Sequence, residues 1–238
     1  IIGAADGPTS IFVGNYYGTK YIGAIIVAAY SYMALVPIIQ PPVIRALTTK
    51  KERMIRMPYN TNKVSKTVKT VFPIGVTVFA GIIAPKSVAL IGFLMFGNLV
   101  RECGVLDSLS DTAQNVMSNL VTLLLGLTVA SRMKAESFLT LQTLMIIMLG
   151  LVAFVFDTVG GVLFAKLLNL ITPKNKINPM IGAAGISAFP MSARVVNQMA
   201  MKEDPTNTIL MQAVGANVSG QIASVLAGGI ILTLIPRL

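Results

Sequence analysis

The chain has 238 residues and a formal net charge of +10, with 54% of its residues hydrophobic and only 12% charged. Ordinary soluble domains carry about a quarter charged residues, so this composition excludes a soluble globular protein and points to a membrane. With no histidine, no tryptophan and one cysteine, Cys103, the chain cannot form an internal disulfide, a cysteine-based metal cluster, a histidine-dependent triad or a histidine-ligated metal.

The first stretch, Ile1 to Phe12, reads "IIGAADGPTSIF". In a soluble protein Asp6, Gly7 and Pro8 would form a surface turn. Within a membrane a charge costs about 2.5–3.5 kcal/mol at the bilayer centre, so such residues face the protein interior and mark ion or proton pathways. A Gly/Pro break frees backbone carbonyls, and irregular backbone at that depth is tolerated only where it is buried or lines a cavity. Those oxygens, the Asp6 carboxylate and the Thr9 and Ser10 hydroxyls can replace the water shell of Na⁺. No cleavable signal is visible, and the chain opens inside a functional-looking stretch, so the expectation is that more protein precedes it.

Tyr21 to Pro42 contains no charge and passes the length of about 20 residues that a span requires. Tyr32 lies about halfway along it, not at an edge where belt tyrosines gather. Pro37, Pro41 and Pro42 predict a kinked helix. Eight of the 19 basic residues then fall between Arg45 and Lys69, against one acid, Glu52. A basic run invites a nucleic-acid reading, but a cationic loop beside a span is what the positive-inside rule predicts. Loop 45–69 is therefore expected to be cytoplasmic, and no nucleic-acid partner is expected.

Val71–Pro85, Ser87–Val100 and Thr112–Ser131 are shorter uncharged stretches: short spans, re-entrant pieces or halves of broken helices. Ser137–Phe156 is a second uncharged run of span length, ended by Asp157 in "FDTVGG". Asp157 is either an intramembrane acid or a helix end. A second basic loop, Lys166–Lys176, is expected on the same side as the first.

"MIGAAGISAFPM" (Met180–Met191) repeats the "IGAA" of Ile2–Ala5 at Ile181–Ala184. Both copies carry hydroxyls, Ser187 and Ser192 in the second, and a proline, here Pro190. Paired Gly/Pro-interrupted hydrophobic segments are the best sequence pointer to a transporter's ion site. Broken segments are expected near 1–14 and 178–194. If every short segment crosses, the copies are parallel; if one is re-entrant, they are inverted. Arg194 either faces the interior or snorkels from a helix end. The last uncharged run, Pro205 to Pro236, holds Asn217, Ser219 and Gln221 mid-span, either as interhelical glue or as polar lining. The 13 methionines read as packing filler.

The expected fold is an all-α polytopic membrane protein, one membrane domain over 1–238, with about seven or eight embedded elements. A β-barrel would need alternating strands of about ten residues, and the runs do not alternate.

The blocks "GAADGPTSIF", "AAYSYMALVPIIQPP", "TTKKERMIRM", "FGNLVRECGV", "LSDTAQN" and "NKINPMIGAAGISAFPMSARVVNQ" resemble the β subunit of the sodium-pumping, biotin-dependent decarboxylases. That group acts on oxaloacetate, methylmalonyl-CoA or glutaconyl-CoA. Family β subunits are longer, and this chain looks like their C-terminal portion. The resemblance implies that a carboxyltransferase α subunit moves CO₂ onto biotin on a carrier domain. The β subunit then decarboxylates carboxybiotin and exports Na⁺ while a proton is taken up. It implies a small membrane γ-type subunit, a homo-oligomer as one possible assembly, and a bacterial or archaeal plasma membrane. By motif match Asp6 is the key intramembrane aspartate, and Tyr32, Asn178, Gly182, Ser187 and Arg194 fall at other functional positions. Asp6 would exchange Na⁺ for H⁺, Asn178, Gly182 and Ser187 would share in Na⁺ binding, and Tyr32 would deliver a proton to biotin nitrogen. Arg194 would hold a carboxylate in a bidentate contact or tune the site's pKa. Asp157, Asn217 and Ser219 remain further intramembrane polar candidates, and biotin-contacting residues are unknown. The competing reading is a Na⁺-coupled secondary transporter of an organic anion without chemistry. A carboxylated biotin requirement separates the two. A purely structural anchor has no use for Asp6 or the repeat.

Overall fold

A computed structural model describes residues 1–58, 64–132, 140–173 and 175–235; Thr61, in the basic loop, and Lys174 lie outside them. Among the described residues all regular structure is helical. Four helices are long and apolar enough to cross a membrane: α2 (Ile22–Leu47), α4 (Lys66–Ile83), α8 (Leu141–Ile171) and α11 (Leu210–Leu234).

Two spans settle alternatives that the sequence left open. The run ending at Phe156 continues through Asp157 as a 31-residue helix, capped at its start by Thr140, whose side chain accepts from the Thr143 N–H. A single acid does not end a helix in lipid, because every backbone group there has to be satisfied within its own segment, and Gly161 packs directly against the Gly182 backbone. Lys166 consequently sits on the last turns of α8, and the second basic loop begins only after Ile171. The short run Val71–Pro85 becomes a span because Lys66 and Lys69 extend it at one end, where their ammonium groups reach the interface. α4 and α5 (Val88–Glu102) form a hairpin through a 3₁₀ turn at Pro85–Ser87. α3 is one turn (Lys50–Arg53), and α6 (Asp107–Thr112) runs through a π turn into α7 (Ser118–Arg132).

Ion pairs define one end of the bundle. Arg53 Nε lies 2.7 Å from Glu203, Lys166 lies 2.9 Å from Glu52 and Lys69 lies 3.0 Å from Glu102. Burial pushes the Glu52 carboxyl up, but hydrogen bonds from Thr49 and Lys166 outweigh it and hold it below the usual value. The Thr206 hydroxyl, Arg56 and the Thr206 N–H likewise hold Asp204 low. The other end is closed by Lys86, which donates to Tyr16 Oη (2.9 Å) and to the Leu232 carbonyl (2.6 Å), and by Tyr17, which donates to the Ile235 carbonyl (2.8 Å). These contacts satisfy carbonyls that the last turn of α11 leaves open.

Against this frame α1 (Gly7–Tyr16) is a half-helix running from Asp6 to the far end. α9 (Met180–Ala183) and α10 (Met191–Glu203) form a hairpin. Asn178 donates to the Arg53 carbonyl (2.8 Å) and Glu203 pairs with Arg53, so the hairpin enters and leaves at the basic end. The helices that follow the two "IGAA" copies therefore run from the middle of the bundle to its opposite ends, an inverted arrangement. The main core lies where α2 and α8 pack on this hairpin, around Tyr32, Val36, Phe154, Met180 and Val196.

Candidate cation site between two helix breaks

The first break is built by three neighbours. Ala5 adopts a left-handed backbone (φ 56°), a conformation that costs an L-residue about 1–2 kcal/mol. Asp6 then caps α1: its Oδ1 accepts from the Thr9 N–H at 3.0 Å and its carbonyl accepts from the Ser10 hydroxyl at 2.6 Å. Pro8 occupies the first turn, where a missing N–H costs nothing. Asp6 is only 7% exposed. Its second carboxylate oxygen makes no hydrogen bond among the described residues, so the cap orients the group and leaves one oxygen free.

The second break, residues 184–190, is held from two sides. Gln40 of α2 donates to the Ala183 carbonyl at 2.8 Å, and Asn217 of α11 donates to the Ile186 carbonyl at 2.5 Å and to Ser192 Oγ at 3.1 Å. The hairpin can approach so closely because glycines face each other. A Cβ on Gly182 would lie 1.9 Å from the Gly161 carbonyl oxygen, and one on Gly220 would lie 2.0 Å from that of Gly185.

The two breaks meet at a cavity of about 290 Å³ whose polar lining includes Asp6, Thr9, Tyr30, Ser187 and Gln221. Each has a polar atom available. The Thr9 hydroxyl oxygen is buried without a partner among the described residues. Ser187 Oγ reaches the Gly220 carbonyl only at 3.4 Å. The Tyr30 hydroxyl and the Gln221 amide have no hydrogen bond among the described residues. Among those residues no three His, Cys, Asp or Glu side chains come together. The set is thus one carboxylate with neutral oxygens, a hard-ligand environment that suits an alkali cation or a proton and not a soft metal.

The remaining predicted residues are placed elsewhere. Tyr32 is buried on another side of α2, donates to the Ile147 carbonyl and stacks on Phe154. Asn178 is wholly buried and ties the hairpin to residues 53–57, donating to the Arg53 and Ile55 carbonyls. Gly182 serves the close approach to α8. Arg194 is exposed on the first turn of α10 and pairs with nothing among the described residues. Asn217 holds the second break, while Asp157 and Ser219 line a different cavity. Sequence reasoning missed Tyr30 and Gln40. Both lie in the uncharged run that contains Tyr32; residues two apart on a helix point to different sides, so Tyr30 and Tyr32 cannot both face Asp6.

The fold and site define a multi-pass membrane protein with a buried acid between two inverted helix breaks. The family model for the Na⁺-transporting oxaloacetate decarboxylase beta subunit matches residues 1–235, and the chain belongs to that family. It is 52% identical over 232 residues to oxaloacetate decarboxylase beta chain 2 of Salmonella typhi, covering 98% of this chain and 53% of that protein. It is 51% identical over 234 residues to the methylmalonyl-CoA decarboxylase beta subunit of Propionigenium modestum, covering 98% and 59%. It is 51% identical over 235 residues to the glutaconyl-CoA decarboxylase beta subunit of Acidaminococcus fermentans, covering 99% and 62%. The chain thus spans little more than half the length of these relatives.

Proposed function

We infer that this chain carries the cation site of a decarboxylase sodium pump, coupling breakdown of carboxybiotin on a partner's carrier domain to Na⁺ export and proton uptake. The observation that carries the reading is the convergence of Asp6 and Ser187, from two separate helix breaks, on one cavity with neutral oxygens in reserve. Na⁺ is the cargo. Asp6 supplies the charge, and Thr9, Ser187 and Gln221 supply neutral oxygens. One carboxylate holds either Na⁺ or H⁺, so loading one releases the other. Carboxybiotin breakdown needs a proton at biotin nitrogen. Tyr30 is the hydroxyl beside Asp6, and we assign it the proton transfer from that site. Tyr32 then acts by holding α2 on α8, and Asn178 by holding the hairpin in place. Arg194, free at the mouth of α10, is the group available to a carboxylate.

The basic end faces the cytoplasm in this reading, where the carrier domain docks. The biotin-carrying α subunit and a small γ-type membrane subunit are the partners, and a β homo-oligomer is compatible with the fold. The test is Asp6→Asn in the full-length subunit within its complex. Na⁺ uptake into inverted vesicles should be lost while the subunit still assembles; wild-type uptake refutes the reading. An anion symporter would instead move Na⁺ without any carboxylated biotin.

A further inference from the structure

A second cavity, of about 710 Å³, lies on the other side of the broken segment 184–190. Among the described residues Ser187 alone lines both this cavity and the one that holds Asp6. Its wall follows α8 from Asp157 through Phe164 to Leu168 and ends at Ile177, beside Asn178. Asn178 is bonded to the Arg53 carbonyl, so the cavity reaches from mid-membrane to the basic end. Asp157 sits at its inner end, halfway along the 31-residue α8.

Asp157 is exposed along this cavity and has no cationic side-chain partner and no hydrogen bond among the described residues. An ionisable residue there is too costly to face hydrocarbon and is expected to face protein or water. The oxygens near it are of the right kind for a cation. Ser219 lines the cavity, and Ser224 Oγ, also on its wall, is buried without a partner among the described residues. No cationic side chain lines it among the described residues. Asp157 is the one acidic side chain among the described residues that line it, and it favours a cation there over an anion.

We propose that Asp157 is a second acidic station on the cation path, at the inner end of a vestibule open to the basic end, with Ser187 as the septum between it and Asp6. The proposal rests on the cation-pump reading above. A cation entering from the basic end meets Asp157, passes the Ser187 hydroxyl, which can turn to either cavity, and reaches Asp6. Two acids on opposite faces of one broken segment give the cation a place to wait while Asp6 is protonated.

The experiment uses the full-length subunit in its complex, with Asp157→Asn, Asp157→Glu and Asp6→Asn compared in Na⁺ titrations of decarboxylation. Asp157→Asn should raise the half-saturating Na⁺ concentration by about tenfold with little change in maximal rate, as loss of one charged contact predicts. Asp157→Glu should largely restore it. An Asp157→Asn titration that overlays wild type, with Asp6→Asn inactive, overturns this inference alone. Normal Na⁺-dependent turnover in Asp6→Asn overturns the underlying reading instead. Should Asp157→Asn fail to assemble, Ser219→Cys on a Cys103→Ser background decides. Labelling by a charged thiol reagent from the basic-loop side only, slowed by Na⁺, supports the vestibule. Labelling by a lipid-soluble maleimide alone places the groove against hydrocarbon and overturns it.

Discussion

Gly182→Ala tests the architecture that holds the second break. A Cβ at position 182 would lie 1.9 Å from the Gly161 carbonyl oxygen and 2.4 Å from its carbon, and ordinary contact begins at 3.4 Å. The two backbones must therefore part by about 1.5 Å (3.4 minus 1.9). Neither partner is a flexible side chain, so the strain cannot be relieved by a rotamer change. Overpacking of this kind costs about 1–3 kcal/mol, occasionally more. Alanine's better helix propensity returns at most about 1 kcal/mol. The displaced segment carries Ser187 five residues on, so the cation site should loosen as well. Gly160 is the control: a Cβ there meets nothing within 4 Å, and Gly160→Ala should be neutral or slightly stabilising. The assay is thermal unfolding of the purified full-length complex, paired with a Na⁺ titration of its turnover. Gly182→Ala should lower the unfolding temperature and raise the Na⁺ requirement; Gly160→Ala should do neither. If both alanines behave alike, or Gly182→Ala matches wild type in both measurements, the close-approach argument is wrong.

Ser187→Ala should raise the half-saturating Na⁺ concentration about tenfold to hundredfold, the equivalent of one hydrogen bond to a charged group at roughly 1.5–3 kcal/mol; a titration that overlays wild type would show that the hydroxyl serves only Gly220. Tyr30→Phe should slow carboxybiotin breakdown with stability unchanged, whereas Tyr32→Phe removes the hydroxyl's bond to the Ile147 carbonyl, which keeps its intrahelical partner, and should cost about 0.5–1.5 kcal/mol of stability. The reverse assignment of effects, read from turnover and thermal unfolding together, would return the proton-transfer role to Tyr32. A cysteine placed at Thr61 on a Cys103→Ser background should resist a membrane-impermeant reagent applied to intact cells, and labelling from outside would invert the topology.

The membrane class, the all-helical fold and the placing of Asp6 at a buried helix break are legible in the sequence because each follows from local chemistry. Uncharged runs must be helical in lipid, where every backbone group has to be satisfied within its own segment. A carboxylate beside Gly-Pro in such a run needs a polar interior. The repeated "IGAA" was equally readable, as was the family, carried by blocks spread along the whole chain. The end of the second long span was not. Asp157 looks like a boundary when only composition is counted, yet the helix continues past it to Ile171, because a single acid leaves the helix's own ladder of backbone bonds intact.

What tertiary structure alone decided is which polar side chains meet. Tyr30 and Tyr32 are nearly indistinguishable by sequence, and the rotation of α2 against α1 and α8 sends one to Asp6 and the other to a backbone carbonyl. The orientation of the repeat also depends on a fact absent from any local pattern: Arg53 gathers both ends of the 178–203 hairpin at one face, so the hairpin turns back instead of crossing. Asn178 and Gly182, expected at the ion site, secure that hairpin through a carbonyl bond and a glycine contact. Sequence fixes what a residue can do within a turn or two of its own helix. Which groups share a cavity depends on contacts between segments more than a hundred residues apart, and only the packed fold specifies those.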